Sequence, residues 1–339
     1  LNTAHISNQF MGESGMVWFF GVVEDVSDPL FAGRVRVRCF GFHNPDKSLI
    51  PTESLPWAQV ILPATGASIS GVGQTPHGLV PGSHVMGFFQ DGEYAQYPMI
   101  LGTVSGVPQT APSPSDGFSD PTGEFPRYTG QPDTNTLARN DETTENAPSL
   151  ARKRESRRVD IPTASGEIWS ERETPYATVY PNNQVIETRS GIILELDDTP
   201  DAERINLEHP SGSFVEYHPD GSKVEKTKGD HQNFTEGVKQ EVVTGKMSLT
   251  VENTGEVLIN DTMIVKVENN QLVIEVANGN LNLSVNGDVY ADITGDVEQN
   301  IQGNVNSTIN GDRNEVVGGN YNIAASGSIN MRGAAIRLN

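Results

Sequence analysis

The chain has 339 residues, with 23 Lys and Arg against 44 Asp and Glu, for a formal charge of −21. That excludes a general nucleic-acid coat, which needs clustered Lys and Arg on the phosphates. A single cysteine, Cys39, excludes an intrachain disulfide and a Cys-cluster metal site. No apolar run approaches the roughly 18 residues of a membrane helix. The first twenty residues carry no basic stretch followed by an apolar one, so no secretory signal is expected. Hydrophobic residues are only 35% of the chain, below the usual share of roughly 45–50%, and the architecture has to account for that.

The chain reads as all-β, in a series of segments. Residues 1–11 are an N-terminal arm. Residues 12–106 carry five β-rich runs, Met16–Val26, Gly33–His43, Trp57–Leu62, Ser83–Phe89 and Met99–Val104. Turn signals such as Asp28-Pro29, Asn44-Pro45-Asp46 and Pro81-Gly82 separate them, and five such strands predict a small closed barrel or sandwich. The run Arg34-Val35-Arg36-Val37-Arg38 alternates strictly, as a half-buried strand does. Residues 107–160 scatter prolines among polar residues and read as a linker that cannot bury a core of its own. The linker ends in a basic run, Arg152-Lys153-Arg154-Glu155-Ser156-Arg157-Arg158. Residues 161–228 turn β-rich again, with turns at Asp197-Asp198-Thr199-Pro200, His209-Pro210-Ser211-Gly212 and His218-Pro219-Asp220-Gly221, and predict a meander of short strands.

Residues 229–339 carry the strongest pattern. Gly279, Gly287, Gly295, Gly303, Gly311, Gly319 and Gly327 stand eight apart, each followed by a small polar residue. Val285, Ile293, Ile301, Ile309 and Val317 stand two places before a glycine, and Leu281, Val289, Val297 and Val305 two places after. Weaker copies occur at Gly229, Gly237 and Gly245, with residues 253–278 an irregular insert or a less strict set of turns. An octad fits one strand plus a corner, where glycine would permit a positive φ. One chain alone buries too few apolar groups per turn. Three interleaved chains solve this: each octad forms one face of a triangular prism and then steps to the next, with apolar residues along the axis. Strands stack 4.7–4.9 Å apart, so roughly 13 octads over residues 229–334 give a rigid prism about 60 Å long. A narrow prism also accounts for the low apolar share.

Several blocks resemble one family. Trp18-Phe19-Phe20-Gly21-Val22-Val23-Glu24-Asp25, Asp28-Pro29-Leu30 and Gly33-Arg34-Val35-Arg36-Val37-Arg38 look like the N-terminal barrel of the T-even-type phage central spike. So do Ile50–Trp57 and Gly117–Arg127. Thr188-Arg189-Ser190-Gly191, Glu195–Pro200 and Glu203-Arg204-Ile205 are similar to that spike and to the VgrG spikes of type VI secretion, and the octads match the family's Val-x-Gly repeat. The resemblance implies an OB-fold barrel that docks on a baseplate hub trimer, and a homotrimeric, intertwined β-helix that pierces the host outer membrane from the virion tail. It also implies a PAAR-like tip protein on the C-terminal end, where Ile336 and Leu338 would be exposed. The family's lysozyme domain has no counterpart: only residues 128–179 separate the matching blocks, with no phage-lysozyme active-site pattern. The expected function is therefore a structural spike without catalytic residues, cofactor or metal. The alternatives are a VgrG-like or tailocin spike delivering an effector, and a peptidoglycan hydrolase.

The hydrolase alternative would use Glu167 and Glu171, which with Glu173 flank Trp169. A solvated linker edge is the plainer reading. None of the seven histidines has ligand spacing, and His209 and His218 sit in turns. Gly71-Val72-Gly73 reads as a barrel loop, the basic run as a solvated helix or a contact with acidic neighbours, and Cys39 as packed in a strand. Between Val267 and Asp312 there are seven acids and no Lys or Arg, a shaft that repels anionic surfaces.

Overall fold

A computed structural model describes residues 16–73, 77–110, 130–141 and 148–337. The chain divides into two compact units, Leu1–Glu256 and Val257–Asn339.

The first unit opens with a closed five-stranded barrel. Its strands are β1 (Val17–Asp25), β2 (Val35–Cys39), β3 (Trp57–Val60), β4 (His84–Phe89) and β5 (Pro98–Thr103), joined in the order β1-β2-β3-β5-β4. All pairs are antiparallel except β3 with β5. This is the strand order of an OB fold, and each strand lies on one of the runs expected from sequence. Phe19, Val23, Val35, Val37, Cys39, Ala58, Val85, Phe89 and Ile100 fill the interior. Two glycines are fixed by close approach: a Cβ on Gly87 would stand 2.0 Å from the Met99 carbonyl oxygen, and one on Gly21 would stand 2.7 Å from that of Arg38.

The arginines alternating with Val35 and Val37 each hold a loop. Arg34 reaches Asp28 at 2.7 Å, and Asp28 also accepts the backbone N–H groups of Leu30, Ala32 and Arg34. Arg36 donates to the carbonyls of Thr52 and Leu55 and lies 4.4 Å over the Trp57 ring. Arg38 forms a buried fork with Glu24, at 2.5 and 3.1 Å, and donates onward to the carbonyls of Asn44 and Ile50. That network pins residues 44–52 against the barrel wall.

The linker is more structured than its composition suggests. Within it lies a helix, α1 (Pro148–Glu155), and at its end begins a two-strand ribbon, β6 (Ile161–Pro162) with β7 (Ile168–Trp169). Leu137 and Leu150 are buried with Tyr176 and Ile193, so the linker gains its apolar cover from residues later in the chain and not from itself alone. A five-stranded antiparallel meander comes next: β8 (Asn183–Glu187), β9 (Ile193–Asp197), β10 (Arg204–Glu208), β11 (Phe214–Tyr217) and β12 (Lys223–Lys226), paired in chain order. Three of its hairpins close alike. The N–H groups of Gly191, Gly212 and Gly221 return to the carbonyls of Thr188, His209 and His218, and each glycine has φ near +80°, which a side chain would resist.

Candidate functional site

The octads begin directly after β12. Bends recur at 228–229, 236–237, 244–245, 252–253, 260–261 and 268–270, then at 277–279, and again every eight residues to 326–327. The stretch 253–278 is thus a set of octads with Asn253, Asp261 and Asn269 at the corners, and one longer step before Gly279. Period-two alternation puts residues two, four and six places after a corner on one side: Met247, Leu249 and Val251, or Leu281, Leu283 and Val285. The other side reads Asn280, Asn282, Ser284 and Asn286. The residue two before Gly287, Gly295, Gly303, Gly311 and Gly319 is the least exposed of its octad's large apolar side chains: Val317 at 46% against Val316 at 98%, and Val285 at 47% against Leu283 at 81%. Among the described residues, no backbone–backbone hydrogen bond forms within the chain beyond Lys226.

The positive-φ role assigned to the corner glycines needs correction. Of the seven, only Gly279 lies in that region, at +138°. A gentle bend suffices at the others, as the Asn and Asp corners show. A Cβ on Gly287, Gly295, Gly303, Gly311, Gly319 or Gly327 would meet nothing of its own chain within 4 Å. Ile336 is half exposed, while Leu338 lies outside the described residues.

Ahead of the octads in the chain is a second construction, which sequence reasoning missed. The buried face of the meander is its charged face. Glu195, Asp197, Arg204, Asn206, Glu208 and Glu216 are all nearly inaccessible to solvent. Arg204 bonds Glu195 at 2.6 Å and Glu216 at 3.0 Å. From helix α1, Lys153 reaches Glu216 at 3.0 Å and Asn206 at 2.7 Å, and Arg152 reaches Glu208 at 2.9 Å. Leu150 and Lys153, one turn apart, share the helix face that seats here. Burial pushes the Glu208 carboxyl up, against the pull of Lys153 and Arg152. Glu216 is held low because Lys153 and Arg204 together outweigh its burial. The basic run is therefore spent on acidic neighbours: Arg157 pairs with Glu173 and Arg158 with Glu252.

The carboxylates considered for hydrolysis are each tied to a different cation. Glu171 is buried, accepting from Lys226 at 2.6 Å and from the Arg158 backbone N–H at 2.9 Å. Glu167 bonds Lys246, and Glu173 bonds Arg157 at 3.0 Å. Trp169 is half exposed on β7. A cleft of about 950 Å³ lies elsewhere, lined by Phe20, His84, Thr103, Asp133, Arg139 and Glu187 among others. Asp133 there accepts the Gly106 N–H at 2.7 Å, and Arg139 donates to the Thr134 carbonyl at 2.9 Å, so both serve local structure. Among the described residues no three His, Cys, Asp or Glu side chains are grouped to hold a metal.

Comparison with known proteins bears on the whole arrangement. The profile of the Gp5 N-terminal OB domain family matches residues 42–203, from just after β2 through the linker to just before β10. Protein Gp5 of Vibrio phage KVP40 is 38% identical over 273 residues, 71% of this chain and 65% of that protein. The pre-baseplate central spike protein Gp5 of Enterobacteria phage T4 is 46% identical over 132 residues, 38% of this chain and 23% of that protein. Over most of its length the chain is thus similar to phage Gp5 proteins, and its middle part matches the Gp5 OB domain family. It spans less than two thirds of the length of these Gp5 relatives. The match takes in β3, β4 and β5 of the barrel, in keeping with the OB fold expected from the resemblance.

Proposed function

We propose that this chain is the structural central spike of a contractile phage tail, a component of the virion baseplate that acts as a homotrimer. Three copies of the octad track interleave into a prism with Val285, Ile293, Ile301, Ile309 and Val317 along its axis. The observation that carries this reading is the combination found in most octads: an apolar row on one side and, among the described residues, backbone groups that pair with no other backbone group of their own chain. Unpaired N–H and C=O groups over such a length demand a strand from elsewhere. A corner glycine whose missing Cβ would meet nothing of its own chain fits a site kept clear for a neighbouring strand. The OB barrels dock the trimer on a hub protein, a small PAAR-like protein caps the C-terminal end, and the prism transmits the thrust of the sheath to the host outer membrane.

In this reading the spike has no enzymatic activity of its own, and Glu167, Glu171 and Glu173 are structural. Electron microscopy of the purified protein tests the prism: a rod about 60 Å long is expected, and the absence of any rod would overturn the reading. A turbidity assay on bare peptidoglycan tests the chemistry. No clearing is expected, and clearing that disappears in Glu167→Gln would show that the chain is a hydrolase.

A further inference from the structure

The meander is built inside out. An antiparallel sheet with one solvated face ordinarily buries its apolar side and shows water the polar one. Here helix α1 and the residues around Tyr176 cover the charged face, and the apolar face is left open. Two cross-strand rows make up that open face. One runs Gln184, Leu196, Ile205, Tyr217, Lys223, and the other Ile186, Leu194, Leu207, Val215, Glu225. Ile186, Leu196, Ile205, Leu207 and Tyr217 are between 43% and 65% exposed. A one-residue slip would hide them, but it would also expose Arg204 and Glu195 and break every pair beneath α1, so the register is locked with this face outward. A contiguous apolar patch of this kind marks an interaction surface.

We infer that the open face of β8–β11 is a seam against a second copy of this chain, closed by the same association that closes the octads. The inference rests on the trimer reading above and specifies a surface in it outside the octad track. Continuity argues for this occupant. The chain passes from Lys226 at the end of β12 to the first bend at 228–229 with one residue between, so copies that interleave at the octads bring their meanders together as well. The rim of the face argues for it too. Gln184, Lys223 and Glu225 lie at three of the four row ends, with Ile186 at the fourth, so most of the rim is polar around an apolar centre, as in an interface. In this reading Lys153 and Arg152 decide which face is offered to the neighbour, because they occupy the other. The helix between barrel and meander then has a purpose of its own: it is a clasp that orients the sheet.

Thiol labelling in the intact protein tests this. Cys39 is buried and serves as an internal control. Leu207→Cys lies on the seam, and Glu203→Cys on the exposed turn before β10. In a particle whose mass is that of three chains, a maleimide should modify the Leu207→Cys site at least about a hundredfold more slowly than the Glu203→Cys site, because labelling must wait for the seam to open. Equal rates in such a particle would overturn the seam while leaving the trimer standing. A particle of one chain with fast labelling at both sites would overturn both readings. A particle of one chain with slow labelling at Leu207→Cys would assign the cover to the chain itself and sink the seam. Ile186→Cys repeats the test should the first variant misfold.

Discussion

Arg204 on β10 donates to Glu195 on β9 at 2.6 Å, and both side chains are almost wholly removed from water. Glu195 also accepts from Asn206 and Asn183, and Arg204 also meets Glu216, so the pair is the hub of a network that continues through Lys153 into helix α1. Burying such charges stabilises little compared with apolar residues of equal volume, but removing one partner is costly because the other is stranded.

Arg204→Met should therefore destabilise the meander by about 3–5 kcal/mol. Arg204→Lys should recover only part of that, since an ammonium cannot present the planar fork that serves two carboxylates. Amide hydrogen exchange of β9 and β10 measures the loss. Exchange unchanged from the native protein in Arg204→Met would show that the network contributes nothing.

Gly87 has no room for a methyl group, with the Met99 carbonyl oxygen 2.0 Å and the Phe19 ring 2.7 Å from where a Cβ would stand. Gly87→Ala should destabilise the barrel by about 3 kcal/mol or more, the upper end for overpacking, because one of the obstacles is backbone. Near-ultraviolet circular dichroism of the barrel aromatics should show a lower melting temperature. Gly102→Ala, where a Cβ meets nothing within 4 Å, should melt close to the native protein and serves as the control.

The barrel should lose stability as pH falls. Burial holds the His43 imidazole below its ordinary pKa, with Arg38 adding to the effect, and its Nδ1 accepts the Cys39 backbone N–H at 2.9 Å. Below about pH 6.5 the unfolded chain takes up a proton that the folded barrel refuses, so folding weakens from there downward. Asp28 adds a second loss: its bond to Arg34 depresses the carboxyl far below the usual range, so its contribution is intact above about pH 4 and fades as pH drops through the folded value. Barrel melting followed from pH 7.5 to pH 3 should decline in these two stages. His43→Gln should shrink the first, leaving the part owed to His77, whose burial also holds its imidazole low, and a melting temperature that stays level or rises on acidification would contradict the account.

Inward and outward octad positions should differ sharply. Ile301→Asp would place three carboxylates on the prism axis, whereas Asn300→Asp, one residue earlier, adds charge only to the outer face. Burying unpaired charge is prohibitive, and a surface substitution usually changes stability by no more than about 0.5 kcal/mol. Ile301→Asp should abolish association below the site, and Asn300→Asp should leave it intact. Equal behaviour of the two in a sizing experiment would show that Ile301 does not face the axis.

Much of the barrel was legible because its strands alternate and its turns are marked by Pro, Gly and Asp. The Arg34–Arg38 run names the inward and outward sides of β2 without ambiguity. The meander was legible as strands and turns but not as to which face is buried. Arg204-Ile205-Asn206-Leu207-Glu208 alternates equally well with either side inward, and only the cations of α1, some 50 residues earlier in sequence, decide it. The basic run was legible as a helix or as a contact with acidic neighbours, but the burial of helix α1 was not, because it comes from Leu150 and Lys153 seating on the sheet, a tertiary contact that a polar, proline-rich composition does not announce. The octads at Asn253, Asp261 and Asn269 were obscured by treating glycine as the corner, when a bend with ordinary φ needs only a small or polar residue.

The most direct test of the central claim is the mass of the purified protein in solution, taken alongside its migration in SDS without boiling. The chain is 36.7 kDa, and the interleaved spike predicts a particle of about 110 kDa that persists in unboiled SDS, because intertwined chains cannot part without unwinding. A mass of one chain would contradict the account, and the octads would then have to find their partners within a single chain.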